Sequence, residues 1–213
     1  MTLRIILADD HPIVLNGVRM LLESGMDASV VADVHSPAAL VDAIETTPCD
    51  LVITDFSMPG GQVADGMHML GLIHRRWPNL PIIVLTMVSN VGVLGSILSS
   101  GARGLLSKSD ALTELALAVQ AVSHDRDYVS TGIKRALDAS RTAGSSATPA
   151  ALSKREVEVL RLFAGGLTVS EIAGQLNRSV KTISRQKMDA MAKLGLKSDL
   201  DIYAYARENG LAP

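Results

Sequence analysis

Asp9, Asp10, Asp55, Thr86 and Lys108 each stand at the end of a short apolar run, or one or two residues beyond it. An ionisable group at the tip of a buried strand is costly unless something compensates it. Brought to one edge of a sheet, three carboxylates would repel each other and raise one another's pKa unless a cation sat among them. A hard divalent ion with oxygen ligands, most simply Mg2+, meets that need. Lys108 supplies a second positive charge, Thr86 a hydroxyl, and Asp55 the central carboxylate. Such a carboxylate can attack a phosphoryl group. The lysine and the metal would neutralise the equatorial oxygens, and the threonine would sense the aspartyl phosphate formed.

The elements that must bring these residues together are legible as repeats. The runs LRIILA (3–8), ASVVADV (28–34), DLVITD (50–55), LPIIVLT (80–86) and RGLLSK (103–108) are almost continuously hydrophobic, as in strands buried on both faces of a parallel sheet. Helical spacing fills the gaps: Val14, Val18, Leu21 and Leu22 share one face, Ser36 caps a segment that opens with Pro37, and Leu112, Leu115, Ala116 and Val119 fall in register. Five β/α repeats predict a doubly wound α/β domain with a five-stranded parallel sheet over residues 1–125. In such a sheet ligands sit beyond the carboxyl ends of the strands. Residues 126–150 are expected to form a linker with a short helix near 130–138, because 138–151 is filled with Ala, Ser, Thr and Gly.

From 151 to 213 the pattern is all-α. Ser153 with Glu156, and Thr168 with Glu171, read as capping boxes. Gly165-Gly166 and Gly195 read as stops, and Ser179 as a third N-cap. The helix starting at Ser179 follows its predecessor by about three residues, the helix-turn-helix arrangement. With Ile183, Ala190, Met191 and Leu194 inward, its N-terminal half turns Lys181, Ser184, Arg185 and Met188 outward. Arg185 suits a guanine, while Arg178, Lys181, Thr182 and Lys187 suit phosphates. Charge agrees with this division of labour. Residues 1–125 carry 6 Lys+Arg against 13 Asp+Glu, and residues 148–213 carry 10 against 7.

Composition excludes other classes. Hydrophobic residues at 47% give a sizeable core, and the lone cysteine, Cys49, excludes an internal disulfide or a Cys-based zinc site. No apolar run approaches the roughly 18 residues of a membrane span. Two acids follow the start too closely for a signal peptide. A soluble, cytoplasmic protein with no membrane partner is expected.

LADDHP, LVITDFSMPG, IIVLTM and GLLSKSD resemble the receiver domain of two-component response regulators, and LSKREVEVLRLFAGGLTVSEIAGQLNRSVKTISRQK resembles the LuxR-type helix-turn-helix of the NarL/FixJ class, within it the RcsB group. The resemblance covers nearly the whole chain. It implies that Asp55 is the phosphoacceptor, that Asp10, Asp55 and the Ser57 carbonyl hold Mg2+ with Asp9 acting through water, that Thr86 is the switch hydroxyl, and that Lys108 binds the phosphoryl group. It implies as partners double-stranded promoter DNA and a histidine kinase or phosphotransfer protein. A second copy, or an auxiliary regulator in a heterodimer, is implied as well, with the last helix (Ile202, Tyr203, Ala206) as the dimer surface of the DNA-binding part. The only chemistry expected is the chain's own phosphorylation and dephosphorylation.

Leu105 stands where receivers often carry an aromatic switch ring, Ser109 where proline often follows the lysine, and GGQVADG enlarges the loop after Pro59, bringing Asp65 toward the site. Two other readings remain open. One is a phosphorylation-independent regulator acting with an auxiliary partner. The other is an Asp-nucleophile phosphohydrolase, against which stands Ser57, where such enzymes place a second acid.

Overall fold

The structure, a computed structural model, describes residues 2–58, 66–142, 152–208 and 211. The chain divides into two compact units, residues 1–87 with 97–134 and residues 88–96 with 135–213.

Strands β1 (Leu3–Ala8), β2 (Ala28–Val34), β3 (Leu51–Asp55), β4 (Ile82–Thr86), β5 (Gly104–Ser107) and β6 (Tyr128–Val129) form one parallel sheet in the order β2-β1-β3-β4-β5-β6. Helices α1 (Pro12–Gly25), α2 (Pro37–Thr46), α3 (Gly66–Arg76), α4 (Val91–Leu98) and α5 (Ala111–Ser123) connect the six strands in turn, and the reversal of order at β1 and β3 makes the sheet doubly wound. All five residues of β3 and of β4 are buried, as their unbroken apolar runs required. One core cluster packs Ile5, Leu7, Ile53, Leu85 and Leu106 against Leu15, Val18 and Leu22 of α1 and Leu115 and Val119 of α5. Gly104 lets β5 approach β4, since a Cβ there would fall 2.6 Å from Ile83 Cγ1.

The α/β fold with a helical tail is as expected, but the sheet has six strands where five were expected. β6 is two residues long, too short for a periodic signal, and side chains hold it in place. The Tyr128 hydroxyl donates to Glu114 at 2.8 Å, and the Ser130 hydroxyl donates to Asp110 at 2.9 Å. The helix expected near 130–138 is α6 (Thr131–Thr142).

The helical unit holds α7 (Lys154–Ala164), α8 (Val169–Gln175), α9 (Val180–Leu194) and α10 (Asp199–Glu208). Both expected capping boxes form. Ser153 and Thr168 each accept from the backbone N–H three residues on, and Glu156 and Glu171 each reach back to the cap N–H at 2.7 Å. Between α8 and α9 the chain turns at Asn177, whose φ of 52° is in the left-handed region that Asn tolerates. Ser179 then caps α9, and Gly195 (φ 69°) ends it. Val157, Leu160, Ile172, Ile183, Ala190 and Ile202 form the buried interior of these helices; Ile202 and Ala206 are fully buried within the chain, so of the three residues expected to form a dimer surface on the last helix Tyr203 alone is exposed.

Candidate functional site

The parallel register delivers the acidic residues to one edge. Asp55 is the last residue of β3, and Asp9 follows β1 directly. Lys108 follows β5, and its backbone N–H donates to the Thr86 carbonyl at 2.9 Å, fixing the lysine against the end of β4. Asp9, Asp55 and Thr86 are buried, at 2%, 4% and 1% exposure. The Lys108 ammonium lies 2.8 Å from Asp55 Oδ2 and 2.8 Å from Asp9 Oδ2. It bridges two carboxylates from strands that are neighbours in the sheet and far apart in sequence.

One lysine does not compensate this cluster. Burial pushes the Asp55 carboxyl up to about 6, with Asp9 adding to the rise and Lys108 and the Ser57 backbone opposing it. Burial pulls the Lys108 ammonium down, but the attraction of Asp55 and Asp9 outweighs it and leaves its pKa raised. The site is short of positive charge. Ligand atoms of Asp9, Asp10, His11 and Asp55 lie within 4.8 Å of one another, an oxygen-rich set that fits a divalent cation.

His11 occupies the N-cap position of α1, without a side-chain capping bond. Its ring has a second place. Nδ1 is 2.7 Å from Asp10 Oδ1 and 3.3 Å from Asp9 Oδ1, and its backbone N–H donates to Asp9 at 2.9 Å. The signal for this was its adjacency to two acids. Ser57 is half-buried beside Asp55, and Leu105 is fully buried in β5. Asp65 and the enlarged loop lie outside the described residues.

The second site is the exposed side of α9. Lys181, Thr182, Arg185 and Met188 are exposed, Ser184 is half-exposed, and Arg178 is exposed in the turn before the helix. Lys187 corrects the sequence reading. It is buried, with its ammonium 3.8 Å from the Phe163 ring centroid and 2.6 Å from Asp199 Oδ1. The physical reason is periodicity. Position 187 is four residues after Ile183 and four before Met191, both buried, so it falls on the inward stripe despite its charge. Lys187 joins α9 to α7 and α10 and is not placed to meet a phosphate.

A doubly wound sheet with a lysine-bridged acid cluster at its carboxyl edge, followed by a capped helix-turn-helix, defines a phosphoacceptor regulator of transcription. Residues 5–120 match the family model described as response regulator receiver domain, and residues 150–206 match that of bacterial regulatory proteins, luxR family. The chain belongs to the response regulators, and to their NarL/FixJ class. It is a transcription regulator of that family and not a metabolic enzyme.

Among relatives, the transcriptional regulatory protein RcsB of Salmonella typhi is 40% identical over 211 residues, covering 99% of this chain and 97% of that protein. The oxygen regulatory protein NreC of Staphylococcus epidermidis is 34% identical over 217 residues, covering 98% and 99%. The solved structure of RcsB from Salmonella enterica serovar Typhimurium, bound to promoter P1flhDC in the presence of the phosphomimetic BeF3-, is similar at a TM-score of 0.85 and 39% identity, covering 98% of this chain and 100% of that one.

Proposed function

We propose that this chain is a DNA-binding transcriptional response regulator, working in the cytoplasm, in which a phosphoryl group on Asp55 controls dimerisation and promoter binding. Residues 1–125 act as the receiver, 126–150 as the linker and 151–213 as the DNA-binding domain. The carrying observation is the Lys108 ammonium held 2.8 Å from both Asp55 and Asp9. In a chain similar end to end to RcsB, which has been solved on promoter DNA with a phosphomimetic, that geometry supports a phosphoacceptor.

A carboxylate oxygen of Asp55 attacks the phosphorus of a histidine kinase, a phosphotransfer protein or a small acyl phosphate, and the bond from phosphorus to the donor's nitrogen or oxygen breaks. Two donors answer the new acyl phosphate: Lys108 Nζ, already on Asp55, pairs with one phosphoryl oxygen, and the Thr86 hydroxyl donates to another. Mg2+, which Asp10, Asp55 and the Ser57 carbonyl would hold with Asp9 acting through water, would supply the remaining charge neutralisation. With Leu105 buried where an aromatic ring often stands, Thr86 carries the response without a rotating ring. The exposed side of α9 enters the major groove, Arg185 to base edges and Arg178, Lys181 and Thr182 to phosphates. A second copy, or an auxiliary regulator, supplies the second half-site contact.

The test is label transfer from a radioactive phosphodonor in Mg2+. Parent protein is expected to take up label and Asp55→Asn to take up none. Equal labelling of the two would refute the assignment of Asp55.

A further inference from the structure

Met188 is 61% exposed on the outer side of α9, a long apolar side chain between the charged residues Arg185 and Asp189. Ile183, Lys187, Ala190 and Met191 face inward, and Lys181, Arg185 and Met188, spaced i, i+4 and i+7, form the opposite stripe. Isolated exposed apolar side chains are ordinary on protein surfaces. The position of this one, three residues beyond Arg185, gives it a partner when the stripe enters a major groove.

We infer that Met188 reads the 5-methyl group of a thymine, and that each operator half-site carries this thymine within one or two base pairs of the guanine contacted by Arg185. The inference rests on the DNA-reading role proposed above for α9 and names what that helix selects. A thioether side chain offers no strong donor and gains nothing from a phosphate. In the major groove the apolar group that a standard base projects is the thymine methyl. Methionine is unbranched and polarisable, so it can settle against a methyl group without the fixed geometry a bidentate contact needs.

Spacing sets the distance to the guanine. Three residues of helix advance about 4.5 Å, against about 3.4 Å per base along one strand.

The experiment selects duplexes from a random library with the full-length protein in the presence of Mg2+ and beryllofluoride. In the selected site each thymine is then replaced, one at a time, by uracil, which removes only the methyl group. The parent is expected to lose about fourfold in affinity per half-site at one thymine near the guanine, the factor that burying one methyl group is worth. Met188→Ala is expected to bind the thymine and uracil sites equally, and Met188→Leu to recover the discrimination. A selected consensus in which no uracil substitution weakens the parent overturns this inference while leaving DNA reading by α9 intact. A penalty that persists unchanged in Met188→Ala assigns the methyl to another side chain and also overturns it. Absence of any sequence preference in the parent overturns the inference together with the reading beneath it.

Discussion

The charge shortfall at Asp55 has a measurable effect on stability. Its carboxyl is raised from 3.8 to about 6, first by burial and then by Asp9, against the pull of Lys108. A raised acid favours the folded state most when protonated, so this group's stabilisation is complete below pH 3.8 and is lost as pH rises through about 6. About two pKa units at 1.36 kcal/mol each give roughly 3 kcal/mol. Asparagine keeps the shape and removes the charge. In EDTA at pH 7.5, Asp55→Asn is therefore expected to stabilise the receiver by up to about 3 kcal/mol, and this advantage should shrink as pH falls toward 4. Mg2+ should narrow it at pH 7.5 by restoring the missing charge to the parent. Urea titrations of the full chain, followed by fluorescence of Trp77, its single tryptophan, read the receiver unit alone. An asparagine variant no more stable than the parent at pH 7.5, or an advantage independent of pH, would refute the reasoning.

Three further outcomes are expected. Lys187→Ala should lower the stability of the helical domain by about 2 kcal/mol through loss of a desolvated cation–π contact and the Asp199 pair, seen by circular dichroism, while the salt dependence of DNA binding by the folded variant stays as in the parent. Lys181→Ala should reduce the slope of log affinity against log salt by about 0.9, whereas Arg185→Ala should cost about 1–3 kcal/mol on the target and relax the choice at one base pair; a promoter-shift series in salt separates the two. Burial raises the Glu156 carboxyl, but bonds from Lys193 and Ser153 outweigh it and leave its pKa lowered, so its stabilisation holds above pH 4.5 and is lost as pH falls. Glu156→Gln should cost about 1 kcal/mol at neutral pH and flatten the acid limb of the helical domain's denaturation curve.

Much of this was legible because the relevant signals are local. The strand runs that end in Asp9, Asp55 and Thr86 are continuous and apolar, which parallel burial requires, and Ser153-Glu156 and Thr168-Glu171 satisfy their helix ends within four residues. What escaped depends on distant partners. β6 pairs with β5 through the Tyr128 and Ser130 N–H groups, with Glu114 and Asp110 holding the side chains of the same two residues, and a two-residue strand has no period of its own. Lys187 lies on the buried stripe of Ile183 and Met191, and what made a cation acceptable there, the Phe163 ring and Asp199, comes from other helices. His11 could be assigned to the helix start from Pro12, but its ring position on Asp10 follows from how the chain leaves β1.

Under the proposed function, the state of Asp55 sets the affinity for DNA. Its most direct test is one fluorescence-anisotropy titration of a selected duplex by the full-length parent and by Asp55→Asn, each with and without acetyl phosphate in Mg2+. The phosphodonor is expected to tighten binding by the parent and to leave the variant unchanged. Equal tightening of both, or no response from a parent shown to be labelled, would contradict it.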